Sequence, residues 1–240
     1  MELQTAIDNR QSIRRFKEGT IPDEDIREII DAARKAPSGH NLQPWYFVAI
    51  KDKALKDKIA DAMEAKAAEA ADIIREIYVD GTREETSTPF SHGDLPKAAT
   101  DPEKFMKFTE RFISFSRNAP VLILVLSTEP AEVFFADAVM RTEKIPEDFI
   151  GQVLYKFNPT MQSIGAAVEN MMLKAVELGY GACWQSGPNA CWKEITAVMK
   201  EAGFEKEGYT ICAYVPMGIP EDGQKSPNKL PLEDVMTIIG

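Results

Sequence analysis

Histidine is scarce in this chain: His40 and His92 are the only two in 240 residues. A hydrolase built on a Ser-His-Asp relay needs histidine as its base, so that chemistry has little to stand on. The G-x-S-x-G elbow is missing, and so are G-x-G-x-x-G after a strand and the Walker-type phosphate loop. Cysteine is equally thin. Cys183, Cys191 and Cys212 form no C-x-x-C pair and offer no metal-ligand spacing. Their odd number points to reduced thiols in a reducing compartment. No apolar run approaches the roughly 20 residues of a membrane span. The N-terminus, Met1-Glu2-Leu3-Gln4, lacks the basic-then-apolar pattern of a secretory signal. Basic residues are outnumbered, 28 Lys and Arg against 38 Asp and Glu, giving a net charge of -10. That balance argues against nucleic acid as a partner but leaves room for a local basic pocket. Together these absences describe a cytoplasmic protein with no nucleic-acid or membrane partner and no metal site.

What is present is a set of three polar turns between apolar elements. The first, Arg10-Gln11-Ser12-Ile13-Arg14-Arg15-Phe16, follows a short helix over about 3–9. Its guanidinium groups offer planar forks of donors that match phosphate or a carbonyl edge, Ser12 adds a hydroxyl, and Ile13 and Phe16 can anchor the backbone. The second runs from Ala36 to Val48. Pro37 ends the preceding helix, while Ser38, Gly39 and Asn41 can bring donors close to a ligand. Pro44 then feeds a run suited to a core strand, Trp45 to Ile50. The third, Gly179 to Pro188, is a short strand followed by a Gly-Pro helix start that leaves amides free at Ser186 and Gly187. Each turn alone reads equally well as an ordinary connection. Taken together they suit a polar, phosphorylated ligand with a flat ring.

The framework around these turns follows from periodicity. Pro22 with Asp23, Glu24 and Asp25 starts a helix, and Ile26, Ile29, Ile30 and Ala33 form its apolar stripe. A long helix is expected from Lys53 to Val79, then an irregular stretch over 80–100 that contains His92. Asp101 and Pro102 start a helix carrying Phe105, Phe108, Phe112 and Phe115. Val121 to Leu126 reads as a strand buried on both faces. Residues 129–157 give no clear pattern beyond Val133, Phe134 and Phe135. Asn158 and Pro159 cap a helix over 160–178 whose small residues Gly165, Ala166 and Ala167 suit a central or subunit-interface position, and Gly179 ends it. A helix over 188–201, a strand over 209–215 and a polar tail from 216 complete the chain. The tail ends in an apolar segment, 232–239, of the kind that clasps a partner subunit.

The order of these segments resembles the FMN-dependent nitroreductase family over nearly the whole chain. The R-x-S-x-R-x-F pattern falls on Arg10, Ser12, Arg14 and Phe16. The A-P-S-x-x-N-x-Q-P-W pattern falls on Ala36, Pro37, Ser38, Asn41, Gln43, Pro44 and Trp45, and G-x-G-x-C-W on Gly179, Gly181, Cys183 and Trp184. Lys229 precedes Pro231-Leu232-Glu233-Asp234-Val235 where the family carries a basic residue. The resemblance implies a single α+β domain over 1–240, with a mainly antiparallel central sheet flanked by helices. It also implies an intertwined homodimer, a variable lid region at about 80–118 and a C-terminal arm at about 216–240. FMN would lie at the subunit interface. Arg10 and Ser12, with Lys229, would face its phosphate, and Arg14 would sit by the pyrimidine edge. Pro37, Ser38 and Asn41 would come from the other subunit, and Ser186 and Gly187 would line the ring. Gln11 and Trp184, in the same motifs, complete the cofactor-binding set.

The implied reaction is ping-pong electron transfer from NADH or NADPH, through FMN, to a small-molecule acceptor such as a nitroaromatic or quinone. The flavin carries the chemistry, so no side chain is expected as a catalytic acid or base. Two relatives of the same fold are competing expectations, an iodotyrosine-deiodinase-like and a flavin-modifying enzyme. A further one is a protein that stores FMN without turnover. His40 falls outside the matched positions and has no assigned role.

Overall fold

The most apolar run of the sequence becomes the strand on which the rest is assembled. In the computed structural model, which describes residues 1–75, 101–128, 158–226 and 228–239, this is β2 (Val121–Thr128), buried along nearly its whole length. It pairs antiparallel with β1 (Trp45–Ile50) on one side and with β4 (Tyr209–Gly218) on the other; β3 (Gly181–Ala182) pairs with β4. The strand order is β1-β2-β4-β3, and all three pairings are antiparallel. The mainly antiparallel sheet expected from the sequence is therefore present. Among the described residues, its first strand lies at an edge of this sheet rather than in its middle, with Tyr46 and Ala49 exposed while Trp45 and Ile50 are buried.

Alternation along β2 sends side chains into two cores, because successive residues of a strand face opposite sides. Val121, Ile123 and Val125 pack with α2 (Asp23–Ala33) and α5 (Pro159–Glu177). Leu122, Leu124 and Leu126 pack with α3 (Lys53–Ile74), α4 (Pro102–Asn118) and α6 (Trp192–Glu201). The layers are helix, sheet, helix, with both faces of the central strands covered. A bulge sets the register of β4: Val125 pairs with Ala213 and Leu126 with Ile211, leaving Cys212 as the extra residue. The shift lets Ile211 and Tyr214 enter one core while Ala213, Val215 and Met217 enter the other.

Helix boundaries follow the capping chemistry. Asp52, Asp101 and Asn158 each accept a hydrogen bond from an amide three residues on, at 2.7, 3.0 and 3.0 Å. Pro102 and Pro159 occupy the first helical position, where a missing N–H costs nothing. Gly179, with φ of +86°, leaves α5 through a conformation closed to most side chains. The expected helix over 188–201 divides into a 3-10 turn, Gly187–Cys191, and α6, because Cys191 leaves helical angles at ψ 28°. Two short helices lie at the ends of the chain, α1 (Leu3–Asn9) and α7 (Leu232–Val235). Segment 80–100 with His92, segment 129–157 with Val133, Phe134 and Phe135, and the end of the helix expected to Val79 lie outside the described residues. Among the described residues, no helix is long and apolar enough to cross a membrane.

Candidate functional site

The first and third polar turns, about 170 residues apart in sequence, lie side by side. Ser12 forms a parallel bridge with Ala182, and the Ile13 amide donates to the Ala182 carbonyl at 2.9 Å. Gly181 permits this approach. A Cβ there would sit 2.5 Å from Ile13 Cγ1 and 2.7 Å from Ile13 Cβ, closer than atoms pack. With Ile13 buried beneath the turn, Ser12 and Arg14 share the opposite side. The buried Cys183 thiol lies against both. Burial pushes its pKa up, while the Arg14 charge and hydrogen bonds from the Ser12 and Arg14 side chains pull in the opposite direction.

Arg14 is held from three directions. Its amide donates to Gln224 Oε1 at 2.9 Å, its Nη1 donates to the Ser12 carbonyl at 3.3 Å, and its guanidinium lies 6.0 Å from the Phe115 ring centroid. Gln224 does more than this. Oε1 also accepts from the Arg15 amide at 3.1 Å, and Nε2 donates to the Arg15 carbonyl at 2.7 Å and the Glu221 carbonyl at 3.1 Å. Gln11 Nε2 donates to the Gln224 carbonyl at 3.2 Å. Sequence reasoning missed Gln224; a lone glutamine in a polar tail carries no period or motif. A cavity of about 630 Å³ opens here, with Ser12, Arg14, Phe115, Arg111, Gln224 and Lys225 among its walls.

Arg10 and Lys229 stand apart from that cavity. Arg10 Nε pairs with Glu169 of α5 at 3.2 Å. Lys229 is exposed on the tail, and the lysine that reaches the cavity is Lys225. Trp184 is exposed and packs over Gly165, where a Cβ would lie 3.4 Å from Cη2 of the Trp184 indole. Ser186 and Gly187 are exposed at the start of the 3-10 turn, where the first amides have no acceptor within the turn. The buried Gln185 fixes that turn: its Nε2 donates to the Phe112 carbonyl and its Oε1 accepts from Ser116 Oγ, both at 3.0 Å.

The second turn carries backbone strain. His40, Asn41 and Gln43 have φ of 51°, 55° and 48°, left-handed angles that non-glycine residues seldom adopt. Ser38 supports them, since its Oγ accepts from the Gln43 amide at 3.0 Å and its carbonyl accepts from the Asn41 amide at 3.0 Å. Among the described residues, the Ser38 hydroxyl accepts the bond from Gln43 and donates none. Ser163 of α5 accepts from the Gly39 amide at 3.3 Å and ties the turn to the core. Pro37 and Asn41 are exposed and Ser38 is half-buried. None of the three lines the cavity beside Arg14.

The nitroreductase family model matches residues 7–219. This chain belongs to the nitroreductase family. Among solved structures, it is similar to a BluB-like flavoprotein from Clostridium difficile 630, at 39% identity over 100% of both chains and a TM-score of 0.82. It shares its fold with a nitroreductase with bound FMN from Bacteroides fragilis, at 20% identity, TM-score 0.61 and 100% coverage of both chains. Among curated relatives, an NADH dehydrogenase of Thermus thermophilus is 38% identical over 81 residues, 33% of this chain and 40% of that protein. That match spans well under half of the relative's length. Nitroreductase-family membership is therefore carried by the whole-chain matches, and the antiparallel sheet between helix layers agrees with them.

Proposed function

We propose that this nitroreductase-family chain is an FMN-dependent oxidoreductase. It takes electrons from NADH or NADPH and passes them by a ping-pong mechanism to a nitroaromatic, quinone or similar small acceptor. The single observation that supports this reading best is the junction of the first and third turns, where Ser12 bridges Ala182 and Arg14 faces an open cavity. The donor set fits a phosphorylated, flat-ringed group: guanidinium at Arg14, hydroxyl at Ser12, and amides at Ser186 and Gly187. The cavity volume of about 630 Å³ falls among ordinary ligand sites, which run from roughly 300 to 1,000 Å³. When bound, FMN supplies the two-electron chemistry.

The chain's own residues then have binding and electrostatic tasks. Arg14 sets a fixed positive charge where negative charge develops, and Gln224 and Phe115 hold it in place. Ser186 and Gly187 present amide donors on a turn that Gln185 keeps rigid. Ser12 on the cavity wall would face the phosphate, joined by Arg10, which is now paired with Glu169, and by Lys229 of the tail, with Gln11 and Trp184 completing the cofactor-binding set. The only histidine among the described residues, His40, is exposed on a turn, in keeping with a mechanism that asks no side chain for a proton relay.

We further propose a homodimer, with Pro37, Ser38 and Asn41 meeting the flavin of the partner subunit. The C-terminal arm supports this. Leu230, Leu232, Val235, Met236, Ile238 and Ile239 are all exposed, Ile239 at 92%. So many apolar residues in one short segment need a surface to cover them, and a second copy of the chain supplies it.

The test is direct. Purified protein is expected to be yellow, and anaerobic mixing with NADH or NADPH is expected to bleach its flavin absorbance. A panel of nitroaromatics, quinones and iodotyrosine then restores it and ranks the acceptors. Colourless protein that cannot be reconstituted with FMN would sink the reading. Flavin that stays oxidised with both nucleotides would replace it with the storage reading.

A further inference from the structure

Helix α4 carries two apolar lines, and the core uses only one of them. Phe105, Met106 and Ile113 pack into the core that α3 shares. Phe108, Phe112 and Phe115, spaced at helical intervals, share another line and belong to neither of the two packed cores. They pack on one another instead. Phe108 and Phe112 have ring centroids 4.6 Å apart at 50°, and Phe112 and Phe115 are 5.5 Å apart at 63°. Exposure grows along the row: Phe115 is buried and lines the cavity beside Arg14, whereas Phe112 and Phe108 are half-buried. The two turns assigned to the flavin ring both meet this row. The Arg14 guanidinium lies 6.0 Å from the Phe115 centroid, and Gln185, next to Ser186, donates to the Phe112 carbonyl at 3.0 Å.

The other groups of the site, Ser12, Arg14 and the amides of Ser186 and Gly187, are polar or charged. They orient a ligand but offer it no apolar face. A phenyl ring has a negative face and a positive edge, so a row of tilted rings extends favourably by one more flat ring. Half-exposed phenyl groups that neither core claims also gain by exchanging water for such a ring. We propose that Phe112 and Phe108 form the acceptor subsite, which binds a planar aromatic electron acceptor by ring contact and favours it over acceptors without a ring. Continuity with the cavity through Phe115 separates this row from the exposed apolar residues of the C-terminal arm, none of which lines that cavity. The inference deepens the oxidoreductase reading and rests on it for the role of the ligand, though not for its binding.

The full-length chain, supplied with FMN, is titrated with naphthol, a flat ring system that takes no electrons, and binding is followed by naphthol fluorescence. Wild-type protein binds, Phe112→Leu weakens binding about fivefold and Phe108→Leu about threefold, the scale of a lost ring contact. Phe105→Leu, on the core line of the same helix, leaves affinity unchanged, and melting curves verify that every variant folds. In turnover with NADH, Phe112→Leu raises the KM for menadione about fivefold and leaves the KM for ferricyanide, which has no ring, as it was. Absence of naphthol binding, or equal affinity in wild type and both variants, overturns the proposal. A KM for ferricyanide that rises in step with that for menadione also overturns it, since that marks a general distortion of the site. If Phe112→Leu shifts the monomer–dimer equilibrium and spares naphthol, a second copy of the chain covers the row and the proposal falls. Failure of the oxidoreductase reading would show separately, as flavin that is not held or that neither nucleotide reduces, with the naphthol titration still deciding this subsite.

Discussion

Replacing Gln224 with leucine keeps the size of the side chain and removes the fork that fastens the tail to the first turn. Four side-chain hydrogen bonds disappear: from the Arg14 and Arg15 amides to Oε1, and from Nε2 to the carbonyls of Arg15 and Glu221. A net hydrogen bond contributes about 0.5–1.5 kcal/mol, and these sit in half-buried to exposed surroundings, so about 0.5 kcal/mol each is appropriate. The sum is about 2 kcal/mol, or about 30-fold in a local opening equilibrium at 1.4 kcal/mol per decade. The loss falls on one segment, so hydrogen exchange reads it better than global unfolding. The Arg14 and Arg15 amides should exchange about 30-fold faster in Gln224→Leu. The amides of Ile13 and Lys17 bond instead to the Ala182 and Ile219 carbonyls at 2.9 and 2.8 Å, so they should change much less. FMN affinity should fall with them, because Arg14 loses its fixed position. Unchanged exchange at Arg14 and Arg15 would refute the idea that Gln224 positions the turn.

Gly181→Ala drives a methyl into Ile13, with its Cβ 2.5 Å from Cγ1; an overpacking cost of about 2 kcal/mol is expected, read as a fall of about 6 °C in melting temperature. Gln185→Leu leaves the fully buried Ser116 hydroxyl and the Phe112 carbonyl without their partner, so denaturant unfolding should show a loss of about 2–3 kcal/mol. Tyr180 donates to Asp25 at 2.5 Å, which together with burial pushes its phenol up from 10.0 to about 12. Tyr180→Phe should cost about 1–2 kcal/mol at neutral pH. Because the folded pKa is the higher one, that difference is complete below pH 10 and shrinks as pH rises towards 12. A pH series of unfolding curves on both proteins checks it. Burial pushes the Cys191 and Cys212 thiols up to about 11 and about 12; Cys191, the fully buried one of the two, should therefore react with a disulfide reagent only after unfolding, and its reaction in the native state at neutral pH would contradict its burial.

The elements that sequence made legible are those whose pattern is local. Val121 to Leu126 announces a strand covered on both faces because every residue is apolar, and Asn158-Pro159 announces a helix start through capping and a fixed φ. The rank of β1 was not legible. An edge strand and a central strand can share an apolar run, and only the number of neighbours distinguishes them. The motif residues were visible as types, yet their company was not. Lys229 sits in the family pattern and does not line the cavity, whereas Lys225, four residues earlier and equally exposed, does. Arg111 was hidden inside an aromatic helix that reads as core, and its direction depends on how α4 rotates against α3. The strain at His40, Asn41 and Gln43 could not be read either, because only Gly39 advertises unusual angles and its own φ is not among the positive ones.

The three turns share a manner of fastening that bears on their charge. Gln224 locks the first turn, Gln185 locks the third to α4, and Ser38 locks the second through the Gln43 amide. Every one of these fasteners is neutral. A glutamate at 224 would still accept from the Arg14 and Arg15 amides, and it would bind them more strongly as an ionised acceptor. It would also set a negative charge beside Arg14 and Lys225 and cancel the field that an anionic ligand must find. Elsewhere the chain uses acids freely to pair its bases, with Arg117 facing three of them. At the first turn, a neutral amide therefore fixes the Arg14 backbone without pairing its charge, while Arg10 and Arg15 on either side are paired with Glu169 and Glu221.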